Sequence, residues 1–222
     1  MDRNKSMLNQ GRLEVICGPM FSGKTEELIK RLRRAKIAFQ NVVAFKPLID
    51  DRYDLNDVVS HSEQRVNCVA VADTDQMRSQ VFKILDEVDV IGIDEVQFFD
   101  DKILGLVDYF IDKGKRVIIA GLDLDYLGKP FGPVPYLLSR ADMVSKETAV
   151  CMVCGRPANM TQRIHPDAAS LTEQETRGTL SENPIDVGAA TSYEARCRLH
   201  HKSQWDRPSK LRSGRLFTHL DY

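Results

Sequence analysis

One loop near the start of the chain constrains the fold more than any other feature: Gly18-Pro19-Met20-Phe21-Ser22-Gly23-Lys24-Thr25. Its pattern, G-x-x-x-x-G-K-T, lets the backbone curl so that N–H groups point inward at phosphate oxygens. An apolar run at 13–17 precedes the loop, and a helix-like run at 26–32 follows it. That context distinguishes a phosphate-binding loop from a glycine-rich turn with a solvated lysine. We therefore predict that the chain binds a nucleoside triphosphate, with Lys24 at the β- and γ-phosphates and the Thr25 hydroxyl at Mg²⁺.

Size and composition favour an ordinary globular protein. The chain has 222 residues, which suits one domain or one domain with a small appendage, and its net charge of −1 gives no overall field toward nucleic acid or a membrane. It lacks an apolar run of membrane-spanning length and the apolar core of a signal peptide, so we expect a cytoplasmic protein. Five cysteines then indicate metal binding or buried thiols, and Cys17 and Cys68 are expected to be buried.

Short apolar runs alternate with helical patterns over most of the chain. The runs lie at 13–17, 42–45, 66–71, 88–93 and 117–120, with a further short strand near 143–145. The helical patterns lie at about 24–39, 75–86 and 102–113. Nearly all-apolar runs are typical of parallel strands covered on both faces, so the alternation predicts a three-layer α/β domain. Its ligands are expected at the carboxyl ends of the strands, where the phosphate loop lies.

The composition changes near residue 149, where cysteines and then a long polar stretch begin. We therefore divide the chain into four parts: a flexible leader at 1–11, a nucleotide-binding domain at 12–146, a cysteine-containing domain at 147–201 and a basic tail at 202–222. The tail could touch an anionic partner, but a solvated or frayed tail is the simpler interpretation.

A second phosphate element is predicted where the apolar run at 90–93 ends in two carboxylates, Asp94 and Glu95. Asp94 fits the aspartate that accompanies Mg²⁺ in phosphate-loop proteins. Glu95 could orient an attacking water, as in an ATPase, or take a proton from an acceptor hydroxyl, as in a kinase. The pattern leaves both roles open.

Two cysteine-containing pairs predict a zinc site. Cys151 and Cys154 form C-x-x-C, and Cys197 and His200 form C-x-x-H. Four N and S ligands suit tetrahedral Zn²⁺, and a site with all four positions filled by protein is structural. His201 is an alternative ligand, although the spacing favours His200. A redox C-x-x-C is the rival interpretation, but it needs no second pair.

Aromatic residues follow two of the predicted strands. Phe98 and Phe99 follow one strand, and Tyr126 and Phe131 follow the next. Taken singly, each is more often part of a core. Next to a nucleotide site and Glu95, they predict a pocket for a flat acceptor such as a nucleobase.

Six motifs then occur in one order between about Arg12 and His200: G-P-M-F-S-G-K-T, I-D-E-V-Q-F-F, G-L-D-L-D-Y, K-P-F-G, C-M-V-C-G and Y-E-A-R-C-R-L-H. Together they resemble the zinc-containing thymidine kinases (type II, cytosolic). The resemblance implies an α/β fold of the P-loop (RecA-like) type, a parallel sheet flanked by helices with a small zinc-binding lasso domain. It also implies transfer of the ATP γ-phosphate to the 5′-hydroxyl of thymidine, and also of deoxyuridine, in pyrimidine salvage.

The same resemblance implies ligands and roles. These are Mg²⁺ with ATP, a structural Zn²⁺, a homotetramer and feedback by thymidine triphosphate, with neither a membrane nor nucleic acid as partner. Glu95 becomes the proton acceptor, with Thr25 and Asp94 on the Mg²⁺ side. The residues implied around ATP are Gly18, Pro19, Met20, Phe21, Ser22, Gly23, Lys24, Thr25, Arg52, Asp94, Glu95, Val96 and Gln97. Those implied around thymidine are Met20, Phe98, Leu122, Tyr126, Phe131, Thr161, Val187, Gly188 and Tyr193.

The lasso departs from the family pattern. Ala189 stands where the family has a second glycine, Thr191 stands where it has an acidic residue, and the segment at 166–184 is longer than usual. A change from Gly to Ala restricts the backbone, so the resemblance does not extend to the path around the base or to the preference among thymidine, deoxyuridine and other analogues.

Two other functions fit parts of the pattern. A phosphate-loop ATPase acting on nucleic acid, with the zinc knuckle as its binding module, would hydrolyse ATP without thymidine. Balanced charge and a short chain count against it. A non-catalytic nucleotide-binding zinc protein does not account for the placement of Asp94 and Glu95.

Overall fold

The computed structural model of the chain describes residues 10–49, 68–164 and 192–202. Within them, a six-stranded sheet has the order β3-β2-β4-β5-β1-β6, and its paired strands are parallel. The strands are β1 Arg12–Cys17, β2 Val42–Pro47, β3 Cys68–Val71, β4 Val90–Ile93, β5 Arg116–Gly121 and β6 Met143–Lys146. The predicted α/β fold with a parallel sheet is therefore confirmed.

Helices connect the strands. They are α1 Lys24–Ile37, α2 Thr74–Phe82, α3 Lys102–Asp112 and α4 Val134–Arg140, and a 3₁₀ turn spans Val96–Phe98. Acidic residues in the first turn of α1 and basic residues in its last turn complement the helix dipole. At the start of α2, the Asp73 carboxylate accepts a hydrogen bond from the N–H of Gln76 at 2.7 Å.

The sheet is covered on both faces, which explains its nearly all-apolar strands. One face carries Leu13 and Val15 of β1 in a large buried cluster with side chains of α2, α3 and α4. The other face carries Ile16 and packs against Leu28, Leu32 and Ala35 of α1. Successive residues of β1 therefore point into two different cores, as expected for a central parallel strand.

Helix α1 lies very close to the sheet. A Cβ added at Gly92 in β4 would lie 2.7 Å from a side-chain carbon of Leu32. A larger residue there would force the Leu32 side chain to move, and α1 begins at the phosphate loop. The close packing of α1 on β4 thus fixes the loop against the strand that carries the two carboxylates.

The remaining described strands form two small antiparallel sheets. Strand β7 Ala149–Val150 pairs with β8 Pro157–Ala158, and β9 Met160–Arg163 pairs with β10 Tyr193–Arg196. Their core is small and includes Cys151. No helix among the described residues is long and apolar enough to cross a membrane.

The structure corrects two helix ends and one burial prediction. Helix α2 ends at Phe82 and not near residue 86. Helix α1 ends at Ile37, because Phe39 adopts a left-handed backbone with φ of 58° and closes a turn. Helix α4 was not predicted, since it is short and begins after two prolines in a loop-like sequence. Cys17 is buried as predicted, but Cys68 is exposed because it begins an edge strand.

Several predicted features lie outside the described residues. They include most of the leader, Arg52, the first two residues of the strand predicted at 66–71, the lasso stretch with Val187 and Gly188, and nearly all of the basic tail. The division of the chain into domains stays a prediction.

Candidate active site and metal centre

The phosphate loop lies at the carboxyl end of β1, where two glycines allow its path. Gly23 has φ of 81°, a left-handed conformation that a side chain would strain. A Cβ at Gly18 would lie 2.4 Å from the carbonyl oxygen of Glu147, so any side chain there would collide with the backbone that follows β6. The loop is therefore packed between its own strand and the start of the small sheets.

Lys24 lies inside this loop and is only 8% exposed. Its Nζ donates to the carbonyl oxygen of Pro19 at 2.7 Å, and the Ser22 hydroxyl donates to the same oxygen at 2.8 Å. The ammonium group is thus drawn under the curl of the loop. Strong negative charge in that curl would compete with the Pro19 carbonyl for the ammonium group.

Asp94 lies directly opposite the start of α1. The Thr25 hydroxyl donates to Asp94 Oδ2 at 3.0 Å, and the N–H of Glu95 donates to Oδ1 at 2.9 Å. Burial, followed by the nearby Glu95 carboxylate, raises the pKa of Asp94 to about 7. Hydroxyl and carboxylate oxygens are the ligands that Mg²⁺ prefers, so the Thr25–Asp94 pair fits a magnesium position.

Glu95 occupies the sharp turn between β4 and the 3₁₀ turn. Its backbone is left-handed, with φ of 49° and ψ of 42°. Such a conformation is uncommon for a residue other than glycine, costs on the order of 1–3 kcal/mol and is concentrated at functional sites. Its Oε2 accepts a hydrogen bond from Nε2 of Gln97, whose Oε1 accepts the N–H of Leu122 at 3.0 Å.

Phe98 and Phe131 come together beside this turn. Their ring centroids are 5.8 Å apart with an interplanar angle of 86°, an edge-to-face arrangement. Tyr126 lies in the same strand-end loop as Leu122, and the guanidinium of Arg163 lies 5.5 Å from the centroid of its ring. Of the predicted aromatic group, Phe98 and Phe131 contact each other and Tyr126 contacts Arg163, a neighbour that no sequence pattern indicated. Phe99 is instead buried in the main core, so its place in an acceptor pocket is corrected.

Thr161 joins the small sheets to the phosphate loop. It is 3% exposed, and its Oγ1 accepts the N–H of Met20 at 3.0 Å. Two residues that the family resemblance places around thymidine are thus in direct contact, although far apart in sequence. Tyr193, another residue implied around thymidine, begins β10 opposite Arg163. Its place against a base stays a prediction.

An ion pair links the ends of two strands of the main sheet. Lys146 Nζ, at the end of β6, lies 2.6 Å from Oδ2 of Asp123, which follows β5 and is 6% exposed. Asp125 instead accepts the backbone N–H groups of Leu127 and Lys129, which closes the loop after β5. The D-L-D run therefore shapes the loop, a role that sequence reasoning did not assign to it.

The predicted metal ligands form one cluster. One ligand atom from each of Cys151, Cys154, Cys197 and His200 lies within 4.8 Å of the others. Measured pairs are 3.7 Å for Cys151 Sγ to His200 Nδ1, 3.8 Å for Cys154 Sγ to Cys197 Sγ, and 3.3 Å for Cys197 Sγ to His200 Nδ1. Tetrahedral zinc with Zn–S of about 2.3 Å and Zn–N of about 2.0 Å requires edges of about 3.5–3.8 Å. The cluster fits zinc.

The electrostatics differ from one ligand to the next. At Cys154 a backbone hydrogen bond to Arg156 lowers the pKa of the thiol, but desolvation and the Cys151 and Cys197 sulfurs outweigh it and raise the pKa. Desolvation opposes ionisation of Cys151, but backbone hydrogen bonds from Cys197, Val153 and Cys154 outweigh it and lower the pKa of the Cys151 thiol to about 5. The thiolate is the form that binds a metal. A donor set of four is more than a redox pair needs, so the geometry favours the metal interpretation.

His201 has a different role from its neighbour. Its Nε2 lies 3.0 Å from the carbonyl oxygen of Tyr126 and 3.2 Å from that of Thr161. Because both partners are acceptors, Nε2 carries the proton and donates to both. His200 therefore belongs to the cluster, and the neighbouring His201 joins that segment to the backbone of Tyr126 and Thr161.

These features define a class: a phosphate-loop α/β protein with a candidate zinc centre. The phosphate loop follows β1, the carboxylate pair follows β4, and a cluster of four Cys and His ligands lies beside the small sheets. A model of one family, described as thymidine kinase, matches residues 11–201. The chain therefore belongs to the thymidine kinase family, and the resemblance stated from its motifs is confirmed.

One solved structure described as a DNA replication initiation factor was also found. The two are 17% identical, and the TM-score is 0.37. The match covers 61% of this chain and 40% of the solved structure's chain. A likeness this weak supports no conclusion about function.

Proposed function

We propose that this protein is a thymidine kinase that transfers the γ-phosphate of ATP to the 5′-hydroxyl of thymidine. The products are thymidine monophosphate and ADP, and deoxyuridine is a second acceptor. The observation that carries the proposal is the position of Glu95, directly after the carboxylate that meets Thr25 of the phosphate loop. Family membership then distinguishes a kinase from an ATPase.

The phosphate loop and Lys24 bind the triphosphate in this proposal. Negative charge replaces the Pro19 carbonyl as the partner of the ammonium group, and the loop's N–H groups surround the β-phosphate. Thr25 and Asp94 would hold Mg²⁺, which when bound would supply neutralisation of the charge on the transferring phosphoryl group. Phe21 and Val96 flank the phosphates, and Arg52 adds charge there.

Glu95 acts as the proton acceptor. The 5′-oxygen of thymidine forms a bond to the γ-phosphorus while the bond from that phosphorus to the bridging β,γ-oxygen breaks. The hydroxyl proton passes to the Glu95 carboxylate, and ADP leaves with the electron pair of the broken bond. Phosphoryl transfer needs little covalent help from protein, so positioning of the hydroxyl and neutralisation of charge together provide most of the acceleration.

The acceptor pocket lies where the strand ends meet the small sheets. Phe98 and Phe131 offer apolar walls, Met20 and Thr161 close one side, and Leu122 and Tyr126 come from the loop after β5. Val187, Gly188 and Tyr193 cover the base in this proposal. A zinc site with four protein ligands is closed to substrate and is therefore structural. In this proposal zinc holds the two ends of the segment that carries these three residues.

Family resemblance extends the proposal to assembly and regulation. We propose a cytoplasmic homotetramer that acts in pyrimidine salvage and is inhibited by thymidine triphosphate. We also propose that the nucleotide-binding domain covers 12–146 and the zinc-binding lasso domain covers 147–201.

The decisive experiment measures ATP consumption and thymidine monophosphate together. Purified protein with Mg·ATP is assayed alone and with thymidine, deoxyuridine, uridine, deoxycytidine or single-stranded DNA. We expect product only with thymidine and deoxyuridine. ATP hydrolysis that ignores thymidine but rises with DNA would contradict the proposal and favour the ATPase.

The proton-acceptor role has its own test. Glu95→Gln keeps the size of the side chain but cannot take the proton, so turnover should fall at least 100-fold while ATP binding is unchanged. Near-normal turnover in this variant would exclude Glu95 as the base.

A further inference from the structure

Gln97 is the least exposed polar side chain near the candidate base. It lies in the 3₁₀ turn after β4 and is 3% exposed. Its Nε2 donates to Glu95 Oε2, and its Oε1 accepts the N–H of Leu122 at 3.0 Å. Both ends of one amide are thus used inside the protein, one by the candidate base and one by the acceptor pocket.

The chemistry of the partners fixes which end faces which. A backbone N–H can only donate, so the atom facing Leu122 must be the amide oxygen. The amide nitrogen is then left to face the Glu95 carboxylate, which accepts. A side chain with one donor end and one acceptor end meets both needs, whereas glutamate, methionine or leucine would fail at one or both.

The surrounding backbone leaves the amide little freedom to move. A Cβ at Gly121, the residue before Leu122, would lie 2.8 Å from Gln97 Oε1. A Cβ at Gly132, which has φ of 50°, would lie 2.6 Å from the backbone oxygen of Gln97. The end of β5 and the Phe131–Gly132 segment therefore close on Gln97 from two sides.

Glu95 itself needs such a partner. It sits on a left-handed turn rather than in a strand or helix, and a glutamate side chain has several rotatable bonds. A base that is misplaced by about 1 Å can cost a catalyst about 100-fold in rate. A buried amide anchored to the pocket removes that freedom.

We propose that Gln97 is a positioning residue that holds the Glu95 carboxylate in register with the acceptor pocket. The inference rests on the proposed function, in which Glu95 accepts the proton of the 5′-hydroxyl. Gln97 ties the base to Leu122, so base and bound nucleoside keep a fixed separation. This side-chain role differs from the phosphate contact that family resemblance implies for the same residue.

The test compares two substitutions at Gln97 with a matched control. Q97A removes both hydrogen bonds, whereas Q97E keeps an acceptor for Leu122 and places a carboxylate against Glu95. Q76A is the control, because Gln76 also accepts a backbone N–H through its side chain but lies at the edge of the sheet beside β3. Each protein is assayed for kcat, for KM of thymidine, for ATP affinity and for thermal unfolding.

A hydrogen bond to a charged group is worth about 1.5–3 kcal/mol, which corresponds to about 10- to 100-fold. We therefore expect kcat to fall about 10- to 100-fold in both Gln97 variants, with ATP affinity unchanged and KM changed less than about threefold. Q76A should keep the wild-type kcat. If kcat falls equally in Q97E and Q97A, the loss arises at Glu95, because Q97E keeps the acceptor for the Leu122 N–H.

A double-mutant cycle keeps the proposal testable if Q97A is also less stable. If Gln97 acts through Glu95, adding Q97A to E95Q should lower the residual turnover by less than about threefold. A full further loss in the E95Q background, or a wild-type kcat in Q97E, would overturn the proposal. Wild-type protein without thymidine-dependent turnover would instead refute the proposed function, so the two failures are distinguishable.

Discussion

Glu14 is the charged residue that most directly supports the strand leading into the phosphate loop. It lies in β1 and is 3% exposed. Its Oε1 accepts from Nε of Arg116 at 2.6 Å and from Nε of Arg12 at 3.0 Å. Its Oε2 accepts from Nη2 of Arg116 and Nη1 of Arg31, each at 3.1 Å. The carboxylate thus joins β1, β5 and α1.

The perturbation is Glu14→Gln, which replaces one accepting oxygen with a donating NH₂ group. The new NH₂ group cannot accept, so two of the four guanidinium hydrogen bonds are lost. The guanidinium N–H groups then face the N–H groups of the Gln side chain. Charge-assisted hydrogen bonds contribute about 1.5–3 kcal/mol each, and breaking a buried ion pair costs about 3–5 kcal/mol. Since Arg12 is 54% exposed, solvent compensates part of its share. We expect a loss of about 3 kcal/mol in the free energy of unfolding.

The pH dependence of the same quantity provides a second check. Burial opposes ionisation of Glu14, but Arg116 and then Arg12 outweigh it and hold the pKa of Glu14 below its ordinary value of 4.5. The folded state therefore binds this proton less readily than the unfolded chain. The stabilisation is complete above the unfolded pKa and is lost as the pH falls through the folded pKa.

Urea unfolding of wild type and E14Q, measured from pH 7 down to well below the ordinary glutamate pKa of 4.5, tests this reasoning. The matched control is Asp108→Asn, because Asp108 pairs with Arg140 at 2.7 Å but both side chains are nearly half exposed. D108N should change the free energy of unfolding by less than about 1 kcal/mol. A loss below 1 kcal/mol in E14Q at pH 7, or a difference from wild type that grows as the pH falls, would refute the argument.

Two further predictions concern the metal cluster. Removal of zinc by a chelator, or the Cys154→Ser substitution, should raise the apparent KM for thymidine before the affinity for ATP changes, because the cluster holds the small sheets. Metal analysis that finds no zinc in the purified protein would contradict this prediction. His201→Ala should keep one zinc per chain but raise the KM for thymidine several-fold, since His201 donates to Tyr126 and Thr161 and is not a ligand. Loss of zinc in that variant would show that His201 supports the cluster itself.

The sequence was most informative where chemistry restricts both residue type and spacing. The phosphate loop, the carboxylates after β4 and the cluster of cysteines with His200 were all predicted from local patterns, and the structure brings each group together. Apolar runs likewise predicted the strands of the sheet, because a parallel strand covered on both faces can hardly carry polar residues.

Contacts between distant segments were harder to predict. Nothing local to Thr161 indicates that its hydroxyl accepts the N–H of Met20, and nothing near Arg163 indicates that it lies over Tyr126. Helix α4 was missed because its short sequence lacks a sustained helical period. The choice between His200 and His201 also depended on tertiary contacts, since either spacing can reach a tetrahedral ion.

These distant contacts connect the metal cluster to the phosphate loop through a short path. Cluster ligand His200 is followed by His201, which donates to the backbone of Thr161, and the Thr161 side chain accepts from Met20 in the loop. The path crosses the proposed acceptor pocket before it reaches the loop. Lys24 and Thr25 are held separately, by Pro19 and Asp94. We therefore expect a disturbance that starts at the cluster to alter thymidine binding first, and to reach the phosphate loop through Met20 or through the backbone of Glu147, which packs against Gly18.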